Sequence, residues 1–186
     1  SSQLKNAISK NFNPHKSKLN ILPNPVDENL FTLRKVPNIN PQFIIVCISL
    51  FRPEKRIDLV LESFNDLVHS GIKAKLKLIG DGPLKHEIEN QIQKLGVSDL
   101  VELPGYLPQK RIIDELHNSH FLVLPSDIET FGMVLVEAQA CGLPVVATDC
   151  GGPKDIVTAE SGILVTPGSV SGLTGGMQKL IRSFDK

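Results

Sequence analysis

The sequence predicts an α/β fold, a parallel sheet of about six strands with helices on both faces. Three observations predict it. Short apolar runs alternate with segments of helical spacing from residue 43 onward. The longest run, Phe43–Leu50 (FIIVCISL), is continuously apolar, as a strand covered on both faces would be. Turn-rich segments follow the strands, around Arg52–Lys55, Gly80–Pro83, Pro104–Leu107, Asp127–Gly132 and Asp149–Pro153. In a sheet built from right-handed crossovers these segments share one rim, at the carboxyl ends of the strands, where such folds bind ligands.

Taken in order, residues 1–18 are polar, with Lys5, Lys10, Lys16 and Lys18, and are expected to be a linker or the remnant of a preceding element. Leu19–Leu22 is a short strand candidate stopped by Pro23-Asn24-Pro25, and residues 29–42 read as loop. Phe43–Leu50 is the first strand of the main sheet. Residues 54–69 carry Ile57, Val60, Leu61, Phe64, Leu67 and Val68 at helical spacing. Leu76–Ile79 is the next strand, ending in Gly80-Asp81-Gly82-Pro83. Residues 84–95 form a helix with Leu84, Ile88, Ile92 and Leu95 on one face and Gly96 as its stop. Val101–Leu103 is a short strand closed by Pro104-Gly105, and 109–118 is a helix. Phe121–Leu124 is a strand pinned by Pro125, and residues 132–141 are a helix closed by Gly142. Val145–Thr148 is a strand followed by Gly151-Gly152-Pro153 and a helical turn. Ile163–Val165 is the last strand, and 170–184 a weaker helix interrupted by Gly172, Gly175 and Gly176.

Composition narrows the function. A chain of 186 residues builds one domain with a real core, and 41% hydrophobic with 22% charged residues is ordinary for a globular protein. Twenty basic and twenty acidic residues cancel, which argues against a nucleic-acid or membrane-surface partner. No run of 18 apolar residues is present, and SSQLKNAISKNF lacks an apolar signal core, so a cytoplasmic location is expected. Cys47, Cys141 and Cys150 are odd in number and scattered, which fits a reduced compartment. His15, His69, His86, His117 and His120 make no metal pattern, so no metal ligands are assigned.

The stretch with the most chemistry is Phe121–Gly142. A helix starting near Gly132 exposes unpaired N–H groups from about Phe131 to Val134, an end that attracts phosphate. Glu129 lies in the loop at its mouth and Glu137 about two turns along it. The two carboxylates can serve as a general acid/base pair or as acceptors for sugar hydroxyls. The neighbours of Glu137 (Val134, Leu135, Val136, Ala138 and Ala140) indicate a helix buried nearly all round, and a buried carboxylate needs a partner or a ligand. Lys55, after the first strand, can reach a phosphate as a point charge, or remain a solvated charge at a helix start. Gly80-Asp81-Gly82-Pro83 can let backbone approach a flat ligand, or be a plain turn with Asp81 as cap; GxGxxG would need glycine at Lys85. Gly151-Gly152 can offer backbone N–H groups to a sugar or phosphate. No GxSxG or Cys–His context points to a covalent nucleophile.

These segments resemble the C-terminal, donor-binding half of a GT-B fold retaining glycosyltransferase of family 4. The resemblance is carried, in order, by LPNPVDENLF (22–31), RPEKRIDLVLESF (52–64), KLKLIGDGPLKHEIE (75–89), VELPGYLP (101–108), FLVLPSDIETFGMVLVEAQACGLPVVATDCGGPKDIV (121–157) and SGILVTPG (161–168). It implies a Rossmann-like domain over residues 19–186 that binds a nucleotide-diphosphate sugar, UDP- or GDP-linked, and transfers its hexose to an acceptor hydroxyl. Glu137 would hold the ribose hydroxyls and Glu129 the donor sugar. The backbone of Phe131, Gly132, Met133 and Val134 would bind diphosphate and sugar, and Lys55 would neutralise the departing diphosphate. Gly82, Tyr106 and Leu107 would border the base. No cofactor or metal is implied.

The sequence departs from the family in two ways. Ser49 and Leu50 stand where Gly-Arg is usual, leaving Arg52 or Arg56 as substitutes. The N-terminal acceptor domain is absent, so the chain alone is expected to bind nucleotide weakly and transfer nothing, with any acceptor or membrane contact made through the missing half. A degenerate, non-catalytic nucleotide-sugar-binding module is the alternative.

Overall fold

The computed structural model describes residues 2–12, 20, 22, 24–35, 37 and 42–184. Strands β1 (Phe43–Ile48), β2 (Ala74–Ile79), β3 (Val101–Gly105), β4 (Phe121–Leu124), β5 (Val145–Thr148) and β6 (Gly162–Val165) form one six-stranded sheet in the order β3-β2-β1-β4-β5-β6. Every pairing is parallel. This is the Rossmann-like, doubly wound order, and the chain reverses direction across the sheet between β1 and β4. The helices are α1 (Ser2–Phe12), α2 (Ile57–His69), α3 (Lys85–Leu95), α4 (Gln109–His117), α5 (Met133–Ala140) and α6 (Val170–Ile181).

The central strands are buried on both faces, which is why they read as unbroken apolar runs. Ile45 and Cys47 of β1 join the core under α2, α3 and α6, whereas Val46 joins the opposite core under α4 and α5. Leu61, Phe64, Leu67, Leu173 and Met177 are almost wholly buried in the first core. The glycines that weaken α6 in isolation let it lie close to the sheet. A Cβ on Gly176 would stand 2.9 Å from Val146 Cγ1 and 3.1 Å from Val165 Cγ1.

The structure moves several predicted boundaries. β1 ends at Ile48, because its neighbour β2 ends level with it at Ile79. β2 begins at Ala74: Lys75 and Lys77 alternate with the buried Leu76 and Leu78, and Lys77 Nζ meets Glu115 Oε2 of α4 at 2.6 Å. β3 continues through Pro104, which an edge strand tolerates because one side of it pairs with nothing. Ser2–Phe12 is helical, and Ser2 donates through its N–H and hydroxyl to Asp155. Of the Leu19–Leu22 strand candidate, Leu19 and Ile21 lie outside the described residues, and Leu22 is exposed and unpaired with the sheet.

The Gly80–Pro83 turn has a structural reason of its own. Gly80 (φ 143°) and Gly82 (φ 158°) hold conformations that L side chains rarely adopt, directly against the segment after β1. A Cβ on Gly80 would overlap Ser49 O, and one on Gly82 would stand 2.5 Å from Phe51 O. The backbone these glycines admit is therefore that of the β1–α2 loop. Gly80→Ala is expected to cost about 3 kcal/mol or more through steric overlap and strain, read as a lowered urea midpoint. An unchanged midpoint would mean that the loop moves freely.

Candidate functional site

At the switch point, two adjoining hollows open at the carboxyl ends of the strands. The first, of about 360 Å³, lies between the ends of β1 and β2 and the start of α4. Its lining is mostly apolar, including Phe31, Ile79, Leu107 and Ile112, and Glu137 reaches it from α5. The second, of about 320 Å³, lies between the ends of β1 and β4 and the start of α5, and contains Lys55, Glu129, Phe131, Gly132 and Met133. Ile48, Ser49, Leu50 and Val134 line both.

α5 supplies the polar groups. Gly132, in a left-handed conformation (φ 98°), is its N-cap, and no side chain caps the helix. Leu135 N–H turns back to Gly132 O, while the N–H groups of Met133 and Val134 have no backbone acceptor among the described residues. They face the end where the helix dipole favours an anion. No residue of α5 is exposed, and Leu135 and Ala138 are fully buried. Glu137 is half-buried and accepts no hydrogen bond among the described residues; burial holds its carboxyl above the usual range.

Lys55 and Glu129 meet in the second hollow. Lys55 ends the 3₁₀ turn Pro53–Lys55, and its Nζ lies 2.6 Å from Glu129 Oε2, with side chains only 19% and 15% exposed. Glu129 is also held by its main chain, since Gly152 N–H donates to Glu129 O at 2.7 Å. Gly152 permits this seam: a Cβ there would come within 2.6 Å of Phe131 backbone atoms. The Gly151-Gly152 pair thus braces the Glu129 loop.

The predicted site residues divide accordingly. Lys55, Glu129, Phe131, Gly132, Met133 and Val134 come together in one hollow; Glu137, Tyr106 and Leu107 line the other. Gly82 lines neither, because it is packed on Phe51; Gly80 and Asp81 border the first hollow in its place. Arg52 is exposed and lines neither hollow. Arg56 is engaged elsewhere: its guanidinium bonds Asp58 and Asp127, which hold it more firmly protonated. It is the one non-glycine residue with positive φ (49°) among those described, a conformation that costs about 1–2 kcal/mol. Leu50, about half exposed, therefore occupies the junction of the hollows, and no arginine among the described residues lines either one.

Sequence reasoning missed Phe31, Gln109 and Ile112 in the first hollow and Asn24 in the second. Asn24 stood within a segment that carried the resemblance. Phe31 ends that same segment, in a stretch read as loop, where an aromatic next to Leu30 and near Leu33 was the available signal. Burial pushes the Cys47 thiol up to about 12 and Cys141 up to about 11, and raises Cys150, so none is a thiolate at neutral pH. His120 is buried and structural, its Nδ1 accepting from Ile44 N–H at 2.8 Å. Among the described residues no three His, Cys, Asp or Glu side chains group as metal ligands, and no helix is long and apolar enough to cross a membrane.

Comparison with known proteins identifies the family and the fold. The family described as glycosyl transferases group 1 matches residues 31–185. The N-acetyl-alpha-D-glucosaminyl L-malate synthase of Bacillus anthracis is 32% identical over 86% of this chain, which spans 43% of that enzyme. The 2-deoxystreptamine N-acetyl-D-glucosaminyltransferase of Niallia circulans is 37% identical over 55% of this chain, covering 26% of its own length. Anabaena HepE, solved with UDP, superposes with a TM-score of 0.87 at 23% identity, over 99% of this chain and 53% of HepE. That likeness speaks to the fold, one Rossmann-like half of a GT-B architecture. Both the family match across most of the chain and the fold point the same way: the chain belongs to the group 1 glycosyl transferases.

Proposed function

We propose that this chain is the donor-binding half of a retaining glycosyltransferase that transfers a hexose from a UDP- or GDP-linked sugar to an acceptor hydroxyl. The observation that carries the reading is the pair of adjoining hollows. One is apolar with, at its wall, a carboxylate unpaired among the described residues; the other joins a cation to the open N-terminus of α5. A nucleoside diphosphate sugar has the matching sequence of parts. The base enters the apolar hollow beside Tyr106 and Leu107, and Glu137 accepts hydrogen bonds from the ribose hydroxyls. The diphosphate lies across Leu50 and Val134 onto the N–H groups of Met133 and Val134, with Lys55 beside it. The sugar faces Glu129.

In this reading the chain's residues act on charge rather than on a covalent intermediate. As the glycosidic bond to phosphate lengthens, negative charge grows on the departing oxygen. Lys55 and the α5 amides, already oriented, stabilise it without reorganisation. Departure and attack on the same face retain the configuration at the sugar carbon, and no metal is required. The acceptor binds in the other half of the protein. HepE, with its bound UDP and, in another structure, UDP-glucose, supports starting with uridine nucleotides. Calorimetric titration of the chain with UDP and GDP checks the reading. Binding of at least one at millimolar concentration or tighter is expected, and the absence of both would sink it.

Leu50 favours a second reading, a degenerate module that binds nucleotide sugar without transferring it. A full-length protein carrying Leu50→Arg separates the two. A transfer rate raised by orders of magnitude supports degeneration. A change of about fivefold or less, the size of one peripheral phosphate contact, supports a working enzyme.

A further inference from the structure

Two loops frame the second hollow: the β1–α2 loop, which carries Lys55, and the β4–α5 loop, which carries Glu129. They are stitched at three points. Asp127 N–H donates to Glu54 O at 2.9 Å, Lys55 Nζ meets Glu129 Oε2, and Arg56 Nη1 meets Asp127 Oδ2 at 2.9 Å. Glu54 and Arg56 both reach Asp127 and Lys55 reaches Glu129, so that residues 54–56 face residues 127–129.

Arg56 is the unexpected member. Its left-handed backbone would be unstrained in glycine, so the side chain must be what favours arginine here. Nε and Nη2 bond Asp58 at 3.1 and 2.8 Å, within its own segment. Nη1 reaches across 71 residues to Asp127, two positions before Glu129. Arg56 and Asp127 are 28% and 39% exposed, and pairs so exposed contribute little to folding. The pair does link the two loops, with the less exposed Lys55–Glu129 pair lying beside it. The guanidinium lines neither hollow, so it is not itself a phosphate ligand.

We propose that Arg56 is a positioning residue: by clamping Asp127 it sets the spacing of Lys55 and Glu129, and through them the grip on the diphosphate part of the ligand. This rests on the nucleotide-sugar reading of the site. The base and ribose hollow lies on the far side of Leu50 and Val134 and is outside the clamp's reach, so uridine and UDP report on different parts.

The test uses Arg56→Gly, which keeps the left-handed backbone without strain, and Asp127→Asn, which keeps the backbone link to Glu54. Arg56→Gly is expected to melt at the same temperature or higher. Its UDP affinity is expected to fall roughly fivefold while uridine binding stays unchanged. Asp127→Asn should show the same loss, and the double variant no more than either single one. Hydrogen exchange at the Asp127 amide should quicken in Arg56→Gly with or without ligand. A wild-type ratio of UDP to uridine affinity, equal loss for both ligands, additive losses in the double variant, or unchanged Asp127 protection would each overturn the clamp. If the wild-type chain binds neither ligand, the nucleotide reading fails instead, and the exchange measurement alone decides the clamp.

Discussion

Glu137→Gln is expected to weaken UDP binding about 10- to 100-fold and, in the same chain, to raise the stability of the unliganded protein. The first effect follows from losing the charged hydrogen bonds that the proposed function gives Glu137 to the ribose, each contributing roughly 1.5–3 kcal/mol. The second follows from the unliganded site, where Glu137 is half-buried and its carboxyl is held above its ordinary value of 4.5 by burial. Below the unfolded value both states are protonated, and burial costs the folded state no ionic penalty. As pH rises through the higher folded value, the folded carboxylate ionises at a cost and stability is lost. The gain from glutamine should therefore be present at neutral pH and vanish in acid. Urea unfolding at acid and neutral pH, beside calorimetric titration, checks both. Lower stability at neutral pH with binding retained would make Glu137 a structural residue. The wild-type affinity for UDP should itself fall as pH drops toward the raised value, because a neutral carboxyl is a weaker acceptor.

Lys55→Met is expected to weaken UDP binding about 10- to 100-fold while leaving uridine binding unchanged. In a protein carrying both halves it should lower transfer by a further roughly 100-fold or more, since in the proposed function Lys55 stabilises charge that grows as the diphosphate leaves. Methionine keeps the apolar stem and removes the ammonium. The substitution also strands Glu129, a carboxylate only 15% exposed, so some stability is lost as well. The double variant Lys55→Met, Glu129→Gln removes that stranded charge. Its stability should recover while UDP affinity does not. Recovery of both would show that Lys55 acts on the fold rather than on the diphosphate. An equal loss of uridine and UDP would place the effect outside the second hollow.

The strands and the site differ in how far they could be read before the structure. β4 and β5 have the predicted bounds because each is a four-residue run buried at every position, apolar throughout in β4 and up to Thr148 in β5, and closed by a turn. β2 reads as starting at Leu76 because Lys75 breaks the apolar pattern ahead of it, and the partner of Lys75, Glu102, is distant in sequence. Glu137 and the α5 start were legible from an apolar helix carrying a single carboxylate. The contact of Lys55 with Glu129, 74 residues apart, was not. Nor was the role of Gly80 and Gly82, since a glycine records that space is needed and not which atoms fill it.

By itself the sequence determined the α/β class, the order of elements along the chain, the carboxyl-end rim and the residue types gathered on it. These are local properties: periodicity, burial pattern and turn chemistry act over a few residues. Only the tertiary structure decided the strand order, and with it the switch point between β1 and β4 where the two hollows open. It alone joined Lys55 to Glu129 and Arg56 to Asp127, and set Glu137 at the wall of the first hollow with no hydrogen-bond partner among the described residues. The reason is that strand neighbours and ion pairs are chosen by packing among segments far apart in the chain, and no single segment carries the identity of its partner.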